Sequence, residues 1–502
     1  MRAHRNAVLC IAAVAALMLT SLDGAFAQKN FSRGGAPNIG DAGPRGPVRG
    51  GGGYQGGGGY RGGGGGWGVV VPGVLLAIPQ MRPPGGQYID DDDDAPQSAG
   101  RSPQRSTRRG PSGAPAANER RLMPDEVVIE VANTVSAAQI DALQSRFRLR
   151  PIDSQTSQLS GTTLYHWHIP DRRSVATVVR ALETDRTVAS AQPNYLFMLQ
   201  QTEPKAATEG DAAQYELAKL RLPQAHTLAK GDKVLVAVID SGVDANHPEL
   251  AGAVAGTYDA LSAPMTPHKH GTAIAGLIAA HGKLMGAAPG ARILAVRAFD
   301  AAGASAEGTT FSILKSLDWA AANGARVINM SFAGPPDPAI HRSLAAAHKK
   351  GIVLIAAAGN AGPKSPPLYP AADSNVIAVT ATDADDKLFE QANRGRHIAV
   401  AAPGAQILVA IPDGGYEVSS GTSYSAAEVS GIAALMLERK GDLTPDRVRD
   451  ILLATAKDLG PKGRDIMFGA GLADAYGALT AEETPKTAAV SRPVERASTG
   501  AR

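Results

Sequence analysis

Six short apolar runs, at 234–239, 293–296, 327–330, 352–358, 376–379 and 398–401, recur through the second half of the chain. Each has strand length and none alternates with polar residues, the pattern of strands buried on both faces of a parallel sheet. Helical spacing fills gaps between them at 309–322 and 339–349. It returns at 418–437, where Ala426, Val429, Ile432, Ala433, Leu435 and Met436 recur every three to four residues. Alternating β and α segments of this kind predict an α/β fold over 214–480, a parallel sheet sandwiched by helices. A different rhythm precedes it. Residues 125–131, 163–169 and 188–199 read as strands, and 137–148 and 174–183 as helices. That predicts a small ferredoxin-like α+β domain over 119–200. Residues 201–213, polar and alanine-rich, read as a linker.

Composition changes the picture only at the ends. Many of the 57 glycines and 34 prolines gather in 28–118. There a glycine run at 50–66 carrying Tyr54, Tyr60 and Arg61 is followed by an aspartate run at 90–94 and a basic patch at 101–109. Such a segment cannot bury enough apolar surface to offset chain entropy and is predicted to be disordered, as is the polar tail 481–502. Residues 1–27 read as a secretory signal: Arg2, His4 and Arg5, an apolar run at 8–19, then Ala25-Phe26-Ala27. The run is shorter than the ~20 residues of a membrane span. The reading is export, to the periplasm or the medium, with no span after signal removal. Cys10 is the single cysteine and would leave with the signal, so no disulfide is expected. A net charge of +3 favours neither nucleic acid nor an acidic substrate.

Four residues in glycine-bounded settings carry candidate chemistry. Asp240 closes the apolar run of Val238-Ile239-Asp240-Ser241-Gly242, at the sheet edge where open parallel sheets build their sites. His270 begins the small-residue helix His270-Gly271-Thr272-Ala273. Asn360 follows Ala357-Ala358-Gly359, and Ser423 stands in Gly421-Thr422-Ser423-Tyr424-Ser425, where a turn enters a helix. A helix N-terminus favours developing negative charge. Taken singly, Asp240 could cap a turn, His270 or Ser423 a helix start, and Asn360 a left-handed turn. Together they supply what acyl transfer needs: a hydroxyl, an imidazole to take its proton, a carboxylate to orient the imidazole, and a donor for the oxyanion. An α/β-hydrolase would show the order Ser…Asp…His and a G-x-S-x-G elbow, neither of which is present.

These blocks resemble the subtilisin-like serine peptidases, the subtilase family. The likeness runs through 236–243, 270–276, 329–334, 356–360, 369–379, 420–431 and 469–475, and covers about 214–479. It implies an endopeptidase of protein or peptide substrates working through an acyl-enzyme. Ser423 would be the nucleophile, His270 the base and then acid, and Asp240 the orienting carboxylate; the Asn360 amide and the Ser423 backbone N–H would form the oxyanion hole. The specificity pocket would have walls from Ser331-Phe332-Ala333-Gly334 and Ala357-Ala358-Gly359, and a floor at Leu368 before Tyr369-Pro370. A leucine floor predicts small or medium apolar residues before the scissile bond. The domain at 119–200 is similar to the family's inhibitory propeptide, an intramolecular partner, and self-cleavage is expected between Leu199 and Gln214. No cofactor is implied for catalysis. Structural calcium is common in the relatives, but no ligand cluster in the sequence assigns a metal site here.

Two departures from the family pattern stand out. Tyr424 stands for a methionine, and Ala427-Glu428 for Pro-His. Glu428 is expected to face solvent or a nearby cation. Two other readings stay open: an inactive relative that binds peptide without cutting it, and a surface or matrix protein whose glycine-rich region is the working part.

Overall fold

Strand 188–199 belongs to two sheets, and the molecule is arranged around it. The computed structural model describes residues 112–200, 214–261, 266–301 and 306–481. The expected signal at 1–27, disordered region before residue 112, linker at 201–213 and disordered tail after 481 fall outside the described residues.

The first domain runs β1 (Leu122–Ala132), α1 (Ala137–Phe147), β2 (Arg150–Ser157), β3 (Thr162–His168), α2 (Val175–Leu182) and β4 (Val188–Leu199). Its strands pair antiparallel in the order β2-β3-β1-β4, the expected ferredoxin-like arrangement. Ser136 and Gln139 form a capping box on α1, and Ser174 caps α2. Alternation along β1 sends Val127, Ile129 and Val131 to a core with Trp167, Leu143 and Val178, while Val128 faces the larger domain. Ordered contacts begin before residue 119, because Ser112 and Gly113 donate to the Glu183 carboxylate. Strand β2, mostly polar and at the sheet edge, carries no apolar pattern from which it could be predicted.

The second domain continues with α3 (Tyr215–Lys219), α4 (Leu222–Ala225), β5 (Leu235–Asp240), a 3-10 turn (Pro248–Leu250), β6 (Val254–Asp259), α5 (Lys269–Ala279) and β7 (Arg292–Arg297). Next come β8 (Phe299–Asp300), β9 (Glu307–Thr309), α6 (Thr310–Ala322), β10 (Val327–Met330), β11 (Phe332–Ala333), α7 (Pro338–Lys349) and β12 (Val353–Ala357). It closes with β13 (Ile377–Thr382), β14 (Ile398–Pro403), β15 (Ile407–Ile411), β16 (Gly415–Ser419), α8 (Thr422–Arg439), α9 (Pro445–Thr455) and α10 (Ala475–Thr480). The main sheet has the order β14-β13-β12-β10-β5-β7-β6, and every neighbouring pair is parallel. Successive residues of β5 split between its faces. Val236 and Val238 pack with α5 and α8; Ala237 and Ile239 pack with α6 and α7. That two-sided burial is why the six runs do not alternate in sequence.

β4 joins the domains. Up to Tyr195 it pairs with β1; from Leu196 to Leu199 it lies between β9 and β11, antiparallel to both. Its side chains also reach the starts of two helices. Asn194 Oδ1 accepts from Phe311 N–H at 3.1 Å, and Gln192 Oε1 from Ala339 N–H at 2.9 Å. These donors belong to first helical turns that have no intrahelical acceptor.

Candidate active site

Asp240 is the last residue of β5 and His270 the second of α5, and both are fully buried. The His270 Nδ1 lies 2.8 and 2.9 Å from the two Asp240 oxygens. Asp240 Oδ1 accepts further from Ser241 N–H at 2.8 Å and Ser241 Oγ at 2.9 Å, so the carboxylate is fixed from both sides. A carboxylate facing Nδ1 fixes the tautomer with the proton there, leaving Nε2 to accept. Nε2 is buried and makes no hydrogen bond among the described residues. The approach of α5 to β5 requires glycine at 271, where a Cβ would stand 2.2 Å from the Gly242 carbonyl oxygen.

Ser423 is the second residue of α8, behind the N-cap Gly421, so it does not cap the helix. Its N–H is among the donors a helix start leaves without an intrahelical acceptor. Tyr424, beside it, sits with its ring centroid 6.1 Å from that of His270 and donates its hydroxyl to Ser419. The Ser423 hydroxyl donates to the Gln200 carbonyl oxygen and, at 3.1 Å, to the Ser331 carbonyl oxygen. Asn360 is oriented by Thr422, whose N–H and hydroxyl both donate to Asn360 Oδ1, at 3.1 and 2.9 Å. The Asn360 Nδ2 is buried and has no acceptor among the described residues. Of these groups the Ser423 hydroxyl alone meets the Gln200 carbonyl oxygen; its hydrogen bonds run to main-chain carbonyls and not to His270.

The pocket residues divide. Ser331 receives Gln200 N–H at 3.1 Å, and Phe332 and Ala333 form β11 against Leu199 and Met198. Gly334 lies under Phe197: a Cβ there would stand 2.3 Å from the ring, which also meets Phe332 edge-on at 6.0 Å. Ala357 and Ala358 are buried in and beside β12 and make no polar contact with residue 200. Gly359 donates to the Thr422 hydroxyl, and a Cβ on it would meet the Leu368 side chain at 3.1 Å, so the two residues are neighbours. The sequence reading missed Gln200, whose Oε1 accepts from Asn360 N–H at 2.9 Å. It missed Thr422 as the group that orients Asn360, and β9 as the second wall of the cleft. A three-residue Glu-Gly-Thr strand has no periodicity to find.

Glu428 corrects an expectation. It is 1% exposed, away from solvent, and has no hydrogen-bond or cationic partner among the described residues. Residues 422–437 of α8 are all buried, so this helix has no outward face to offer. Among the described residues no group of three or more His, Cys, Asp or Glu is placed to hold a metal ion, and no helix is long and apolar enough to cross a membrane.

A model of the subtilase family matches residues 231–471. Thermitase of Thermoactinomyces vulgaris is 36% identical over 274 residues, which span 53% of this chain and 95% of that protein. The chain belongs to the subtilase family. This subtilase is therefore a serine-type endopeptidase acting on protein substrates. Subtilisin E of Bacillus subtilis is 33% identical over 306 residues, covering 59% of this chain and 76% of that one. Among solved structures it resembles fervidolysin of Fervidobacterium pennivorans, described as a keratinolytic enzyme related to subtilisin. The TM-score is 0.62 at 24% identity, over 72% of this chain and 61% of that one, and this likeness bears on the fold alone.

Proposed function

We propose that this subtilase is an exported endopeptidase made as a self-inhibited precursor, which cuts its own chain between Gln200 and Gln201. The observation that carries the reading is the seat of Gln200. Its carbonyl oxygen meets the Ser423 hydroxyl, its N–H is held by Ser331, and the strand leading to it is clamped between β9 and β11.

The chemistry follows from that seat. Ser423 Oγ turns from the carbonyl oxygen toward His270 Nε2, gives up its proton there and attacks the Gln200 carbonyl carbon. Asp240 holds the resulting imidazolium. The oxyanion takes hydrogen bonds from Asn360 Nδ2, the buried donor that otherwise has no acceptor, and from the Ser423 N–H. Collapse breaks the C–N bond, His270 protonates the amine of Gln201, and Gln200 is left as an ester on Ser423. Water activated by the same imidazole then hydrolyses that ester. After the cut, residues 112–200 keep their contacts with the α6 and α7 starts and block the cleft, acting as an inhibitor until released. Residues 1–27 supply the export signal.

The test is to express the full chain and its Ser423→Ala variant and sequence the N-termini. The wild type is expected to begin at Gln201 and the variant to remain long. Equal processing of both assigns the cut to another protease and overturns the reading.

A further inference from the structure

Two histidines stand at the start of α5. His270 faces Asp240, and the half-buried His268, the N-cap two residues earlier, faces the serine beside that carboxylate. The His268 Nδ1 lies 2.7 Å from Ser241 Oγ, and the same Oγ lies 2.9 Å from Asp240 Oδ1. Asp240 Oδ1 in turn lies 2.8 Å from His270 Nδ1, so one chain of hydrogen bonds runs from His268 through Ser241 and Asp240 to His270. Main-chain contacts fix the place of the His268 ring. Its N–H reaches the Gly242 carbonyl oxygen at 3.4 Å, and its own carbonyl oxygen accepts from the Thr272 hydroxyl at 2.9 Å. That hydroxyl accepts from Asp244 N–H at 3.0 Å, which ties the end of β5 to the start of α5.

Proton counting gives the chain a direction. A serine hydroxyl has one proton, and an ionised carboxylate can only accept. If Ser241 gives its proton to Asp240, the 2.7 Å contact requires His268 Nδ1 to carry a proton and donate to Oγ. If Ser241 instead donates to a bare Nδ1, lone pairs on Oγ and Asp240 Oδ1 face each other at 2.9 Å, and the carboxylate loses a donor. Only the first arrangement satisfies both short contacts. The His270 N–H also points at His268 Nδ1 and favours a bare nitrogen, but from 3.4 Å, where a hydrogen bond is weak. Burial holds the His268 imidazole below its ordinary 6.5 against the pull of Asp240, and the charges of His270 and Lys269 add to the fall. At pH 8 the ring is therefore neutral and has one proton to place.

We propose that His268 is a positioning residue: its one proton sits on Nδ1, turns the Ser241 hydroxyl onto Asp240, and so holds the carboxylate square to His270 while His270 takes the proton of Ser423. The inference rests on the roles proposed above for Asp240, His270 and Ser423, and adds a group that acts only through Ser241. A carboxylate that must stabilise an imidazolium gains from being held at a fixed rotation by donors on its far side.

The test begins with the full chain as its Ser423→Ala variant, grown with ¹⁵N-labelled histidine. At pH 8 the His268 signals, assigned by their loss in His268→Leu, are expected to show a protonated Nδ1 and a bare Nε2. In the chain with Ser423 intact, kcat and KM on a peptide anilide are then compared. His268→Leu should lower kcat roughly tenfold with KM nearly unchanged, the weight of one hydrogen bond to a charged group. Ser241→Ala should do the same, and the double variant should be no slower than Ser241→Ala alone, because both changes break one chain. An asparagine Nδ2 stands where the imidazole Nδ1–H does, so His268→Asn should recover most of what His268→Leu loses. A bare His268 Nδ1 at pH 8, or single losses that multiply in the double variant, overturns the relay while leaving the triad standing. Full activity in His270→Ala would instead remove the triad on which the relay rests. The nitrogen spectrum decides the tautomer even where Ser241→Ala fails to fold.

Discussion

The carbonyl oxygen of Gln200 accepts a hydrogen bond from the hydroxyl of Ser423, 223 residues further along the chain. That contact requires β4 to leave its own domain and become the middle strand between β9 and β11. An occupied cleft of this kind makes the strand's own side chains the first place to test recognition.

Phe197 is fully buried between Phe332 and the bare face of Gly334. Gly334→Ala would place a methyl group 2.3 Å from the ring, so the strand could not seat as it does. We predict that Gly334→Ala slows conversion of the precursor by tenfold or more, and that adding Phe197→Ala restores it, since a methyl side chain clears the new Cβ. Time courses of processing on gels provide the check. A double variant as slow as Gly334→Ala alone would mean that the glycine matters for some other reason.

Among the described residues Asn360 Nδ2 has no acceptor, while Thr422 fixes the other end of the amide. Asn360→Ala is therefore predicted to lower kcat on a peptide anilide by ~10²–10³ with KM nearly unchanged, a magnitude carried over from subtilisin, a relative. Thr422→Val should give a smaller loss of the same kind by releasing the amide. A rise in KM alone would remove Asn360 from the oxyanion assignment.

Sequence alone disclosed the parallel sheet, because strands buried on both faces leave unbroken apolar runs such as 234–239. It also marks Asp240, His270, Asn360 and Ser423 as candidates, each by a glycine beside a strand end or helix start. Contacts made by main-chain atoms left no mark. Toward Gln200, Ser331 acts through its carbonyl oxygen, and the N–H and C=O of Gln200 that meet Ser331 and Ser423 are groups any residue could supply, although the Gln200 side chain adds a contact with Asn360 N–H. Glu428 was misread for another reason. A charged side chain on a helix is normally outside, and only the burial of α8 on all faces overrides that expectation.

Asp337 closes the start of α7 and simultaneously receives Gln192 from the small domain and Thr310 from α6, at 2.7 and 2.6 Å. Asp337→Ala loses a helix cap and orphans buried donors, which together cost about 2–4 kcal/mol. Asp337→Asn keeps a cap, so its loss should be less than half of that. Urea melts of the Ser423→Ala precursor measure both, and equal losses for the two variants would contradict this account of the site.

The last prediction concerns the residue before the cut. Leu368 is buried against Gly359 and fills space that a smaller floor residue would leave open. Gln200 does not need that space. Its Oε1 accepts from Asn360 N–H, and its Nε2 turns back to the carbonyl oxygens of Met198 and Leu199 at 3.1 and 3.3 Å, so the side chain is held near the main chain of its own strand. A phenylalanine at the same place would press on Leu368, and overpacking of that sort costs ~1–3 kcal/mol, roughly tenfold or more in rate. No carboxylate stands in Ser331–Gly334 or Ala357–Gly359 to receive lysine or arginine. Matched tetrapeptide anilides differing only in this residue should therefore be cleaved fastest with alanine, leucine or glutamine, and at least tenfold more slowly with phenylalanine or lysine. Leu368→Gly should raise the phenylalanine rate selectively and leave glutamine nearly unchanged, because glutamine's polar contacts are made to main chain away from the floor. If wild type cleaves the phenylalanine substrate faster than the alanine one, and Leu368→Gly changes neither, the leucine floor is wrong.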